Sequence, residues 1–168
     1  MNWTIRSEQA SEIEAIFQLT QAAFQTEHHS SRTEQFIVSA LRRRKTLTLS
    51  LVAVEGEQII GHVAVSPVTI SNGTTGWYGL GPISVSPQRQ RQGIGSQLMK
   101  TALAELKRQG AHGCVLLGNP DFYGRFGFKP HPDLMLPGVP PEYFQAVCFA
   151  GGFPTGEVRY DEAFDAQE

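Results

Sequence analysis

The chain is poor in cysteine: Cys114 and Cys148 are the only two in 168 residues. Two are too few for a disulfide scaffold. Both sit in apolar, strand-like patterns, so they read as reduced, buried small hydrophobes rather than nucleophiles. There is no charge excess either, since fourteen Lys+Arg stand against sixteen Asp+Glu for a net charge of −2. A general nucleic-acid binder carries a strong basic excess, which excludes that class. Long apolar runs are missing as well. None approaches the ~18 residues of a membrane span, and the opening segment MNWTIRSEQASE has no apolar stretch of a secretory signal. The expected setting is cytoplasmic, with no membrane partner. No Cys/His/Asp spacing suggests a metal. One absence is local: no Asp or Glu lies between Gln58 and Glu105.

What is present is enough for a core. Apolar residues make up 40% of the chain, and its length fits one domain, residues 1–168. Seventeen glycines and ten prolines promise tight turns. Trp3–Arg6 reads as a short strand. Ser11 with Glu14 forms a capping box ahead of a helical stripe of Ile13, Ile16, Phe17 and Phe24. Ser31 with Glu34 forms another before Phe36, Ile37, Ala40 and Leu41, and that helix ends in the basic run Arg42–Lys45. Strands at 47–54, 59–70 and 77–85, joined by Glu-Gly and Asn-Gly turns, make an antiparallel meander. The period then changes. Ile94, Leu98, Ala102 and Leu106 form a stripe at 3.6-residue spacing, closed by Gly110. Gly113–Leu117 is an apolar strand, and strand–helix–strand in this span predicts parallel pairing. A short helix at 121–126, a proline-rich stretch, a strand at 143–149 and an apolar tail with Tyr160 and Phe164 complete an α+β chain, a mixed sheet with helices on its faces.

The most informative stretch runs from Ile83 to Ser96, where a strand feeds a glycine turn that opens the long helix. The first amides of a helix lack internal partners and attract anions. Gly93 and Gly95 remove side chains there, and Arg89 and Arg91 add positive charge. The stretch is either an ordinary strand–helix turn or a phosphate cradle. It is not a dinucleotide fingerprint, which needs glycine where Leu98 stands, nor a P-loop, which needs Gly-Lys-Ser/Thr. Gly81-Pro82 inside the preceding strand predicts a bulge or broken pairing, because proline cannot donate a ladder hydrogen bond.

Gln90-Arg91-Gln92-Gly93-Ile94-Gly95 resembles the Gln/Arg-x-x-Gly-x-Gly/Ala signature of the GNAT superfamily of acetyl-CoA-dependent N-acetyltransferases. Pro82-Ile83-Ser84-Val85 resembles the strand before that loop. Tyr123-Gly124-Arg125-Phe126-Gly127-Phe128 resembles the family's Tyr-x-x-Phe-Gly-Phe motif. The resemblance spans a core of about residues 3–130, with 131–168 completing the acceptor side.

The resemblance implies a central, mostly antiparallel twisted sheet whose parallel strands splay apart, with helices on both faces. It implies a cofactor site for acetyl-CoA, with pantetheine on Ile83, Ser84 and Val85 and the diphosphate on amides from Gln90, Arg91 and Gln92 through Gly93, Ile94, Gly95 and Ser96. Asn119 would face the pantetheine arm. Tyr123 would be the general acid that protonates the departing thiolate, and a backbone amide near Val85 would stabilise the carbonyl oxygen. Glu27, His28 and His29 lie where the family borders its acceptor. The carboxylate that many members place on a central strand is missing. His62 is either a core histidine or a base or substrate contact, and His112 reads as a surface residue. The implied activity is acetyl transfer to a primary amine of a small molecule or protein, with a monomer or homodimer as the assembly. A non-catalytic acyl-CoA-binding module and a nucleotide-binding domain are the rival readings.

Overall fold

The computed structural model describes residues 2–28 and 30–168; His29 lies outside them. β1 (Thr4–Ser7) leads into α1 (Ile13–Phe24), α2 (Glu34–Arg43), and the meander β2 (Leu49–Glu55), β3 (Gln58–Pro67), β4 (Thr69–Ile70) and β5 (Trp77–Val85). α3 (Ile94–Arg108), β6 (Gly113–Leu117), α4 (Pro120–Tyr123), β7 (Leu134–Met135), β8 (Phe144–Cys148) and β9 (Gly156–Arg159) follow. Six strands form the main sheet in the order β1-β2-β3-β5-β6-β8, antiparallel except for β5 against β6. β4, β9 and β7 form a smaller second sheet. No helix of the described residues is long and apolar enough to cross a membrane.

α3 buries Ile94, Leu98, Met99, Ala102, Leu103 and Leu106. This stripe covers Leu49, Leu51 and Ala53 of β2 and Val63 and Val65 of β3 on one face of the sheet. The opposite face, with Val52 and Ala64, is covered by Ile16 of α1 and Ile37, Val38 and Leu41 of α2. The approach of α3 is close, since a Cβ on Gly61 would lie 2.9 Å from Ile94 Cγ2. Gly113 is likewise flat against the buried Trp77 ring, 2.4 Å from where its Cβ would stand.

Both helix starts differ from the predicted capping boxes. At α1 the Glu12 carboxylate, not Glu14, accepts from Gln9 N (2.7 Å), and it also takes Arg6 at 2.7 and 2.9 Å. β1 delivers Arg6 to that point, so a tertiary ion pair selects the cap. At α2 Glu34 accepts from Ser30 Oγ at 2.7 Å, while Ser31 bonds Thr33. The strand expected over 59–70 breaks after Pro67, and Thr69–Ile70 pair with β9 instead. β7 and β9 have two and four residues, too few for an alternating pattern to show. Cys114 is buried, as expected, whereas Cys148 at the end of β8 is only half-buried.

Candidate active site

Gly81 and Pro82 form the predicted bulge. Opposite β3, the register steps from Val65↔Leu80 to Val63↔Ile83, leaving the Gly-Pro pair as the extra length. The bulge also coincides with the end of parallel pairing. β5 meets β6 only over Trp77–Gly79. β6 continues to Leu117 but keeps only β8 as its partner. The β6-facing backbone edge of Ile83, Ser84 and Val85 is therefore open, and a wedge-shaped gap separates the two strands.

The turn beyond β5 closes the end of that gap. Gly93 caps α3 with φ +89°, a left-handed conformation that glycine adopts without strain. Arg91 is also left-handed, at φ +66°. The first bond into α3 is Gln97 N to Gly93 O, at 3.1 Å. Among the described residues, no protein oxygen accepts from the nitrogens of 91–96 in the turn and cap contacts. These amides converge at the N-terminal end of a fifteen-residue helix, where its dipole favours an anion.

A cleft of about 630 Å³ runs from this turn to the end of α1. Ile83, Ser84, Val85, Gln90, Arg91, Gly93, Ile94, Gly95, Ser96, Tyr123 and Glu27 all line it. Gln92 turns the other way, toward Lys100 and Trp3, and its amide oxygen accepts from Arg89 Nε at 3.2 Å. Arg89 is held by both oxygens of Glu55, at 2.6 and 3.0 Å. That pair fixes the guanidinium but offsets part of its charge. Three more of the candidate residues stand apart from the cleft lining. Asn119 is exposed and outside the lining; its side-chain oxygen caps α4 by accepting from Asp121 N at 2.9 Å. His28 is exposed and also outside the lining. His62 is fully buried between β2 and β5 and cannot touch a molecule in the cleft. The proline-rich stretch from Pro130 to Pro141 encloses a separate apolar cavity of about 480 Å³.

Residues 4–131 match the family model of the acetyltransferase (GNAT) domain. The chain belongs to the GNAT acetyltransferase family. It is 38% identical over 143 residues to the uncharacterised N-acetyltransferase YhbS of Escherichia coli (strain K12), a match covering 80% of this chain and 85% of that one. A GNAT family acetyltransferase of Brucella melitensis, crystallised with acetyl-CoA, is 47% identical with a TM-score of 0.87, over 97% of this chain and 98% of that one. The crystal structure of E. coli YhbS with CoA has a TM-score of 0.88 at 35% identity, over 98% and 93% of the two chains.

Within this GNAT chain, Tyr123 ends the short helix α4 and lies beside the gap. Its ring packs edge-on against Phe122 and Phe128, with centroids 4.9 and 6.5 Å away. It also lies flat on Gly118, where a Cβ would come within 2.2 Å of Cε2. Burial raises the phenol above its ordinary value, so it stays protonated and serves as a hydrogen-bond donor. Several cleft residues, Phe122 among them, escape a reading of the sequence. Arg125, inside the Tyr-x-x-Phe motif, lines the cleft with its guanidinium 5.4 Å from the Phe122 ring centroid. Phe24 comes from α1, where it reads as one more member of a helical stripe.

Proposed function

We propose that this GNAT chain transfers the acetyl group of acetyl-CoA to a primary amine by direct attack in a ternary complex. The observation that carries this reading is the set of free amides at 91–96 standing at the mouth of the β5–β6 gap, with Tyr123 in the same cleft. The fit to acetyl-CoA is chemical. The amides of Gly93, Ile94, Gly95 and Ser96, with Arg91 beside them, suit a diphosphate. The open backbone edge of Ile83–Val85 offers amide and carbonyl partners to the pantetheine arm. The relatives crystallised with acetyl-CoA and CoA support the same assignment.

When bound, acetyl-CoA supplies an activated acyl thioester. The chain orients it, excludes water with Phe24, Phe122 and Ile83, and provides the Tyr123 hydroxyl to donate a proton to the departing sulfur. A phenol kept neutral by burial is present in the donor form across the physiological range. Glu27 at the cleft rim is placed to attract a cationic acceptor.

Thiol release from acetyl-CoA, measured over a panel of primary amines, tests the reading. Tyr123→Phe is expected to lower turnover about 10²-fold and to leave acetyl-CoA affinity within about twofold. Unchanged turnover would remove the acid role from Tyr123. The second reading, a non-catalytic acyl-CoA-binding module, is favoured by the acid-free span from Gln58 to Glu105. Tight acetyl-CoA binding with thiol release that never exceeds the amine-free background would select it.

A further inference from the structure

Three arginines line the cleft, and the acetyl-transfer reading uses only Arg91. Arg89 is held by both carboxylate oxygens of Glu55, so much of its charge is already offset. Arg91 stands in the glycine turn beside the free amides. Arg125, on the helical turn Gly124–Phe126 that follows α4, is left unused. Among the described residues neither Arg91 nor Arg125 makes an ion pair, and Asp121, four residues before Arg125, is not paired with it. Arg125 is exposed and lines the cleft, so its guanidinium is open to a bound molecule.

The side of the cleft on which Arg125 stands follows from its neighbours. Its guanidinium carbon lies 5.4 Å from the Phe122 ring centroid, within reach of the attraction between a cation and an aromatic face. Phe122 packs edge-on against Phe126, with centroids 5.4 Å apart, and both join the apolar layer under α3 together with Ile83 and Val85. Arg125 is thus fixed to a wall on the α3 side of the sheet. β5 and β6 run parallel, so the glycine turn after β5 and α4 after β6 emerge at the same end of the gap and flank it. Ala23, Phe24 and Glu27 reach the cleft from α1, which covers the opposite face. The unpaired cations therefore gather on the side of the α3 terminus. Glu27, the one carboxylate among the described lining residues, stands on the other side.

We propose that Arg125 binds the 3′-phosphate of coenzyme A and so selects acyl-CoA over thioesters that lack that group. This rests on the acetyl-transfer reading above, through its donor. Coenzyme A bears two anionic groups: a diphosphate and, on the ribose, a phosphate monoester with a charge of about −1.5 to −2 near neutrality. The amides of 91–96, the α3 terminus and Arg91 suit the first. They leave the second unmatched, and Arg125 is the remaining unpaired cation of the described lining. Its planar fork can donate two parallel hydrogen bonds to phosphate oxygens, a geometry that a lysine ammonium does not offer. Contact with the Phe122 ring narrows the freedom of the guanidinium before a ligand arrives, which lowers the cost of ordering it on binding. An acceptor entering from the α1 side meets Glu27 instead. No bond is made or broken at Arg125; it reads the donor. Acyl groups carried on phosphopantetheine alone lack the 3′-phosphate and forgo this contact.

Calorimetric titration of acetyl-CoA and of acetyl-3′-dephospho-CoA into the wild type and Arg125→Gln tests this. The experiment reads binding alone and needs no acceptor. The wild type should bind acetyl-CoA about tenfold more tightly than the dephospho thioester, the size of one charge-assisted hydrogen bond. Arg125→Gln should lose about that factor for acetyl-CoA and hold its affinity for the dephospho thioester within about twofold, which also shows that the variant is folded. Arg125→Lys, which keeps the charge without the fork, should restore part of the discrimination. The discrimination should shrink as salt is added, because Arg125 is exposed. Equal affinity of the wild type for the two thioesters overturns the assignment and leaves the acetyl-transfer reading standing. So does a loss in Arg125→Gln that is the same for both thioesters, or a discrimination that survives in that variant. Failure of the wild type to bind either thioester overturns the acetyl-transfer reading and this assignment with it.

Discussion

Acidification is expected to weaken the fold through His62 specifically. This imidazole is fully buried. Burial first, and Arg42 second, lower its pKa from an ordinary 6.5 to about 4, against the opposing pull of Glu8. Between those two values the unfolded chain binds a proton that the folded chain refuses. The stabilisation is therefore complete above pH 6.5, declines as pH falls through the window, and is fully lost below pH 4. A tenfold difference in proton affinity between the folded and unfolded chains is worth about 1.4 kcal/mol, so about 2 kcal/mol is missing at pH 5 and about 3 at pH 4. Against a typical net stability of ~5–15 kcal/mol, that is a large fraction. Glu12 and Glu55 are held below the usual carboxylate range by hydrogen bonds from Arg6 and Arg89, and both are present in His62→Gln, so their contribution cancels in the comparison below. The assay is urea unfolding at pH 8 and pH 5, followed by the fluorescence of the buried Trp77. The wild type should lose about 2 kcal/mol more than His62→Gln between the two conditions. Parallel losses in the two proteins would refute the assignment of a neutral, proton-refusing imidazole at this position.

Gly118→Ala should act on chemistry without touching the Tyr123 hydroxyl. The new Cβ would stand 2.2 Å from the Tyr123 ring, so the ring must swing away. Turnover should drop by up to about 10²-fold with little change in acetyl-CoA affinity, a split read by steady-state kinetics beside a binding titration. The two glycines of the turn should behave differently. Gly93 has φ +89°, so Gly93→Ala should cost about 1–2 kcal/mol in a urea melt. At Gly95 an added Cβ meets only Val85 Cγ2, at 3.8 Å. Gly95→Ala should leave stability unchanged or raise it by up to ~1 kcal/mol, while weakening acetyl-CoA binding by crowding the amides.

Most of the main sheet and its helices could be read from local pattern. The stripe of α3, the Gly110 stop, the Asn-Gly turn and the apolar runs of β2 and β3 are properties of neighbouring residues, and burying their apolar faces forces the layers together. The glycine turn is legible for the same reason, since a strand that runs into a helix leaves its first amides facing outward. Even the bulge follows from one missing N–H at Pro82. The corrections fall where long-range contacts compete with local ones. Glu12 displaces Glu14 as the α1 cap because β1 brings Arg6 to it. Asn119 is the exception, since its contact is local: it caps α4 through Asp121 N, two residues on. β7 and β9 are too short for periodicity, and pairing across the chain, β9 with β4 and β7 with β9, creates them.

Residue identity alone determined that a glycine turn with free amides would open α3 and that a tyrosine would follow the next strand. It could not determine what His62 is for. A histidine in mid-strand can be bland filling or a proton acceptor, and the difference lies in what Ser50 and Glu8, far apart in the chain, do at its ring: Nε2 faces Ser50, which is bonded to Glu8, and Nδ1 has no partner among the described residues. Hydrogen bonds depend on distances of a few tenths of an ångström, and only the packed sheet brings those groups within reach of one ring.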